Sequence, residues 1–303
     1  MHKTFRGLVS LTLLVFALPV SRLGAQELEP GAYTVSPVGI NVLNLTYGLS
    51  TGDVTFDPSL PVEEASARIQ VFSMAAARSI NLAGRSATAL VAFPLMGGHV
   101  TGIYLGQPAE VRRTGFGDMR VRLGVNLYGE PARRLPEFAK TARSKLNVGA
   151  SVMMVLPTGQ YDPNRIINLG LNRAAFKPEA AIIRNFERWM FEIYGGAWLF
   201  TSNDDFFGGH TRSQDPILSL QFSLRRTFRP GLWISGNANF YRGGRTHVDD
   251  LAKLDFQSNS RVGTTLAVPI TRRNAFRLAV SQGAYTTIGA DFLNVSASFQ
   301  QTF

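Results

Sequence analysis

Apolar and polar residues alternate one for one over long stretches of this chain. Met119, Val121, Leu123, Val125 and Leu127 are separated by Arg120, Arg122, Gly124, Asn126 and Tyr128. Leu218, Leu220, Phe222 and Leu224 stand in the same way against Ser219, Gln221, Ser223 and Arg225, and Leu232, Ile234, Ala238 and Phe240 against Trp233, Ser235, Asn237, Asn239 and Tyr241. Successive side chains of a strand point to opposite faces, so a period of two marks a strand with one greasy and one wet side. Twelve such stretches are predicted, at about residues 38–49, 66–78, 85–95, 117–128, 145–157, 174–185, 189–201, 216–228, 232–242, 259–270, 275–285 and 291–303. In the second of them Phe72, Met74 and Ala76 leave both faces apolar, and the register stays open.

The connections between these stretches sort into two kinds. Short turns fall at 81–84, 185–188, 229–231 and 271–274, where Pro230-Gly231 supplies one preset φ and one residue free to take a positive φ. Long polar connections, read as loops, fall at 50–65, 96–116, 158–173, 202–215 and 243–258, each after an odd-numbered strand. The inner connection 129–144 is long and basic, and the last outer loop, near 286–290, is short. Long loops at one end and tight turns at the other are the signature of a transmembrane β-barrel. The expected fold is therefore an all-β, antiparallel, up-and-down barrel of the bacterial outer membrane, with about twelve strands. Aromatics near strand ends suggest two interfacial belts: Phe186, Trp189, Phe228, Trp233, Phe276 and Phe303 inside, and Tyr47, Phe176, Phe200, Tyr241 and Phe292 outside.

Composition fits such a wall. Hydrophobic residues make up 45% and charged residues 17%, with 29 Gly and 21 Phe. After residue 25 no apolar run is long enough to cross a bilayer as a helix. The start, with Lys3 and Arg6 before an apolar run from Leu8 to Val20 and the small Ala25, reads as a secretory signal cleaved after Ala25. The expected organisation is a signal peptide at 1–25, a periplasmic segment at 26–37 and a barrel at 38–303. Phe303, closing the last alternating strand, reads as a barrel-assembly signal. The absence of cysteine excludes a lipoprotein anchor, disulfides and thiolate chemistry. Net charge is +10, or about +7 once Lys3, Arg6 and Arg22 leave with the signal. For an exported chain this points to anionic solutes or lipopolysaccharide phosphates rather than to nucleic acid.

Several phrases resemble the outer-membrane transporters known as the MetA-pathway of phenol degradation family. They are Gly117-Asp118-Met119-Arg120-Val121-Arg122, Asn126-Leu127-Tyr128-Gly129 and Pro157-Thr158-Gly159-Gln160-Tyr161-Asp162. They continue with Asn168-Leu169-Gly170, Asn172-Arg173, Phe176-Lys177-Pro178-Glu179 and Asn203-Asp204-Asp205-Phe206-Phe207-Gly208-Gly209. The resemblance covers most of the chain after the signal and implies a barrel channel for small, often aromatic or hydrophobic molecules.

By the parity of the strands, the lumen-facing residues are Arg120, Arg122, Glu179, Glu192, Tyr194, Arg225, Asn237, Asn239 and Arg261. Charges and amides in a constriction select solutes by field and hydrogen bonding. The same side chains, paired with one another, would instead fill a narrow barrel. His99, His210 and His247 lie in outer connections near Asp204, Asp205, Asp249 and Asp250, without the spacing of a zinc site; such oxygen-rich loops could hold calcium or bridge lipopolysaccharide phosphates, but Asp pairs of this kind are more often turn-forming, solvated residues. No nucleophile with a placed base is apparent. The expected function is thus passive uptake of small solutes, aromatic, hydrophobic or anionic, by a non-enzymatic channel with no cofactor and no metal. Its partners are outer-membrane lipid, lipopolysaccharide, the barrel-assembly machinery and the solute. The alternatives are a plugged barrel with a structural or surface role and an outer-membrane lipid enzyme.

Overall fold

The computed structural model describes residues 30–55, 62–141, 144–165 and 167–303. The predicted signal peptide, with its cleavage point, lies outside the described residues. The strands are β1 (Asn41–Thr55), β2 (Val62–Leu82), β3 (Arg85–Tyr104), β4 (Gln107–Phe116), β5 (Met119–Tyr128), β6 (Leu146–Leu156), β7 (Ala175–Phe186), β8 (Trp189–Phe200), β9 (Asn203–Phe206), β10 (His210–Gln214), β11 (Ile217–Arg229), β12 (Leu232–Gly243), β13 (Thr246–Val248), β14 (Leu251–Ala252), β15 (Gln257–Pro269), β16 (Asn274–Tyr285) and β17 (Gly289–Thr302). A short helix, α1 (Leu135–Lys140), interrupts the long inner connection.

Twelve of these strands close a ring: β1, β2, β3, β5, β6, β7, β8, β11, β12, β15, β16 and β17, with β17 pairing back to β1. Every neighbouring pair is antiparallel. Closure matters because a sheet edge in lipid would leave a row of unpaired N–H and C=O groups, each costing several kcal/mol. At the seam Thr46 pairs with Ser298, and their hydroxyls are 2.8 Å apart. Each predicted strand overlaps one strand of the ring.

The outer face is greasy all round. Phe72, Met74, Phe93, Leu95, Leu123, Ile182, Leu220, Phe240, Val262 and Leu278 are all exposed. A contiguous band of this kind on a water-soluble domain would drive association, whereas lipid accepts it. Pairing also settles the open register of β2. Thr46 faces Ser73, which puts Val71, Ser73 and Ala75 inside and Phe72 and Met74 outside.

Two expectations are corrected. Four of the five long outer connections carry strand where loop was expected; 158–173 has none among its described residues. β2 and β3 run far past the ring, and β4 pairs with the outer half of β3 through a tight Leu105-Gly106 turn with both φ values positive (51° and 74°). Above the opposite rim, β9, β10, β13 and β14 form a separate four-stranded sheet. There His210 meets Asp249 at 2.5 Å and His247 meets Asp215 at 3.3 Å. The Thr211 amide, and then His210, hold the Asp249 carboxyl below its ordinary range. These segments lack a greasy face, so alternation could not reveal them. The aromatic belts are also thinner than expected. Tyr241 and Phe292 are buried, Arg225 lies 4.5 Å from the Trp233 ring and Arg173 4.6 Å from the Phe200 ring. Two of these rings thus lie against buried guanidinium groups, and the other two are buried away from the interface.

Candidate functional site

The interior is divided by the chain's own N-terminal segment. The sequence suggested a periplasmic position for 26–37; of its described part, residues 30–34 lie within the ring, while the carbonyls of Ser36 and Pro37 meet Ser86 and Ser79 at the short-turn end. Tyr33 is 4% exposed, and its hydroxyl meets Ser151 of β6 at 2.7 Å and donates to Glu179 of β7 at 2.9 Å. Its ring packs edge-on against Tyr194 at 5.0 Å and under the Arg122 guanidinium at 4.6 Å. Two steps earlier, the Gly31 amide donates to Glu192 at 3.0 Å. Glycine is required there: φ is +81°, and a Cβ would fall 2.1 Å from an Arg225 nitrogen. Gly149 makes the same allowance from the wall, since a Cβ on it would stand 2.7 Å from the Tyr33 ring.

Around this segment the charged side chains satisfy one another. Glu179 takes Arg122 at 3.2 Å and also Lys177. Glu192, fully buried, accepts from Tyr194 at 2.7 Å and from Arg225 at 3.5 Å. Breaking one member of such a buried pair costs about 3–5 kcal/mol, because the remaining charge stays desolvated. The N-terminal segment is therefore tied to an already costly set of charges by groups that fit it.

Of the residues singled out from sequence, Arg122, Glu179, Glu192, Tyr194 and Arg225 converge on this segment. Asn237, Asn239 and Arg261 are buried elsewhere along the wall. Ser223 donates to Asn237 at 2.6 Å, Asn239 donates to Tyr241 at 2.6 Å, and Arg261 donates to Ser281 at 2.7 Å and to the Phe292 carbonyl at 2.9 Å. Arg120 lies apart, on the wall of a cavity. At the seam, the Phe303 backbone pairs with Asn41 in both directions (2.8 and 2.9 Å) while its ring is exposed.

The cavity occupies the other side of the lumen and measures about 510 Å³. One wall is β2 and β3, with Val71, Ala75, Leu90 and Ala92; Arg120, Arg122 and Arg277 line it too, and Asn44, Thr46, Ser73 and Ser298 supply hydroxyls and an amide. Pro30, Gly31 and Ala32 close it toward the charged network. Such a chamber is amphipathic: in the ladder Arg120 stands beside Ala92 and Arg122 beside Leu90, so guanidinium and apolar groups share one lining around a space that holds a small ring. Among the described residues no cluster of three His, Asp or Glu side chains is placed to hold a metal ion.

One buried group escaped the sequence reading. Asp118, between β4 and β5, accepts from the Gly159 amide and from the Leu171 amide, both at 2.9 Å. Gly159 and Gly170 lie against each other so closely that a Cβ on either would meet the other's backbone at 2.8 Å. Asn203 then donates to Tyr161 and accepts from Asn172, each at 2.9 Å. Five of the seven phrases that carry the family resemblance thus meet in one knot at the outer rim. The signal was in the sequence, as an aspartate flanked by glycine-bearing phrases, but nothing in it paired the phrases.

Comparison with known proteins agrees with this architecture. No curated protein is similar enough in sequence to be matched. Among solved structures, an outer membrane channel from Pseudomonas putida F1 is 23% identical, with 91% of this chain and 100% of that chain covered and a TM-score of 0.76. The β domain of the Bordetella autotransporter Brka is 9% identical, over 88% of this chain and 100% of that one, with a TM-score of 0.50. At these identities the likeness shows the fold, an outer-membrane barrel. Residues 51–297 match a single family model, and the chain belongs to that family, described as "Putative MetA-pathway of phenol degradation".

Proposed function

We propose that this protein is an outer-membrane channel that admits small aromatic or otherwise amphipathic solutes, with no cofactor and no chemistry on the solute. The observation that carries the reading is the chamber lined both by the apolar side chains of β2 and β3 and by the arginines at 120, 122 and 277. A ring or short alkyl group packs on Val71, Leu90 and Ala92, while a hydroxyl, carboxylate or π-face meets a guanidinium. The family description, with its reference to phenol degradation, supports the same solute class. In this reading the partners are outer-leaflet lipopolysaccharide, the machinery that inserts barrels, and the solute, and residues 1–25 are removed on export. The Pro30–Thr34 segment narrows the path, which favours slow, selective passage over bulk flow.

Planar bilayers with the purified chain test this directly. Small discrete conductance steps with anion preference are expected, and Arg120→Gln combined with Arg277→Gln lowers anion over cation permeability several-fold. A folded protein that passes no current and takes up no phenol or benzoate in liposomes contradicts the reading. It would favour a filled barrel with a structural role, for which the charged network around Tyr33 is the supporting observation.

A further inference from the structure

On the outer wall, at the long-connection end, β11, β12, β15 and β16 leave a groove of about 430 Å³. The ladder fixes its layout. Leu218, Arg242 and Ser258 lie abreast in one row, and Leu220, Phe240, Ser260 and Tyr285 in the next. Leu218, Leu220, Phe240 and Tyr285 are exposed and belong to the same greasy face as Leu224 and Val262, so the groove opens to lipid and not to the lumen. The hollow arises from side-chain size. Serines stand at 258 and 260 between the larger Arg242, Phe240 and Tyr285, and a register shift at Ser260/Arg261 sets Tyr285 against the far side.

Acyl chains alone do not account for this composition. Arg242 is exposed, and no carboxylate among the described residues lies within ion-pair distance of it. A cation on the lipid face costs about 2–4 kcal/mol at the midplane and almost nothing at the interface. Its position in the first row below the rim therefore places it at head-group level. A guanidinium there is a natural partner for phosphate, which it can take through two parallel hydrogen bonds. The serine and tyrosine hydroxyls beside it suit a sugar, and the apolar row immediately below suits a fatty chain.

We propose that this groove binds one phosphorylated acyl glycolipid of the outer leaflet, lipopolysaccharide, with Arg242 on a phosphate and Leu220 and Phe240 against an acyl chain. The inference rests on the outer-membrane placement of the barrel and not on transport, so a silent pore leaves it intact. The test uses the purified full chain in detergent, stripped of lipid and titrated separately with rough lipopolysaccharide, its dephosphorylated form and phosphatidylglycerol. Bound lipid is counted by native mass spectrometry, and a heat-modifiable gel shift verifies that each variant is a folded barrel. One lipopolysaccharide per wild-type chain is expected, with retention about tenfold weaker in Arg242→Gln. Arg242→Lys restores part of it, and Ser260→Trp, which keeps the charge but fills the groove, abolishes it. Wild-type retention by Arg242→Gln or by Ser260→Trp overturns the assignment, as does equal binding of the dephosphorylated form or of phosphatidylglycerol.

Discussion

Replacing Tyr33 by alanine raises the single-channel conductance several-fold while the barrel stays assembled. The side chain holds the N-terminal segment in the lumen by hydrogen bonds at 2.7 and 2.9 Å, an edge-on ring contact at 5.0 Å and the Arg122 contact at 4.6 Å. Together these are worth about 3 kcal/mol, enough to change the segment's occupancy about a hundredfold. The wall itself loses little, because Glu179 keeps Arg122 and Lys177. Gly149→Val probes the same contact from the other side. Its new side chain collides with the Tyr33 ring, 2.7 Å from the site of the Cβ, and expels it without removing any group of the segment. Both variants are expected to widen the path in planar bilayers. Unchanged conductance in both would show that residues 30–34 do not limit it.

The second large effect is on stability. Asp118→Ala costs about 3 kcal/mol, since two amides of the part-buried rim lose a charged acceptor that holds Gly159 against Gly170. Asp118→Asn, which keeps one acceptor, falls between the two. The urea midpoint of the purified protein, read by loss of the heat-modifiable band, is the measurement. An Asp118→Ala midpoint equal to that of the wild type would show that the outer knot does not contribute to the barrel's stability.

How much of this was legible in the sequence depends on the physics at each position. The ring strands were legible because a wall between lipid and water enforces alternation, and lipid makes one face of it almost free of polar groups. β2 was ambiguous for the same reason reversed. Its inner face, with Val71 and Ala75, lines the apolar side of the chamber, so neither face looked wet. The strands above the membrane, β4, β9, β10, β13 and β14, have water on both sides and leave no such imprint. Parity could assign Arg122, Glu179, Glu192 and Arg225 to one face, but not their meeting point. That point is set by Gly31 and Tyr33, which lie in an aperiodic segment 161 and 146 residues from their carboxylate partners. Trp233 and Tyr241 misled because an aromatic near a strand end suits an interface as well as an interior arginine.

The central claim is a closed wall with a water-filled chamber that solutes traverse. It is tested most directly by two substitutions one residue apart in a chain that has no cysteine of its own. Thr46→Cys places a thiol on the chamber and Tyr47→Cys places one on the lipid face. With a charged, water-soluble thiol reagent, the first is predicted to react and to reduce conductance, and the second to do neither. Equal labelling of the two positions, or a fully modified Thr46→Cys protein that conducts as before, would contradict the account.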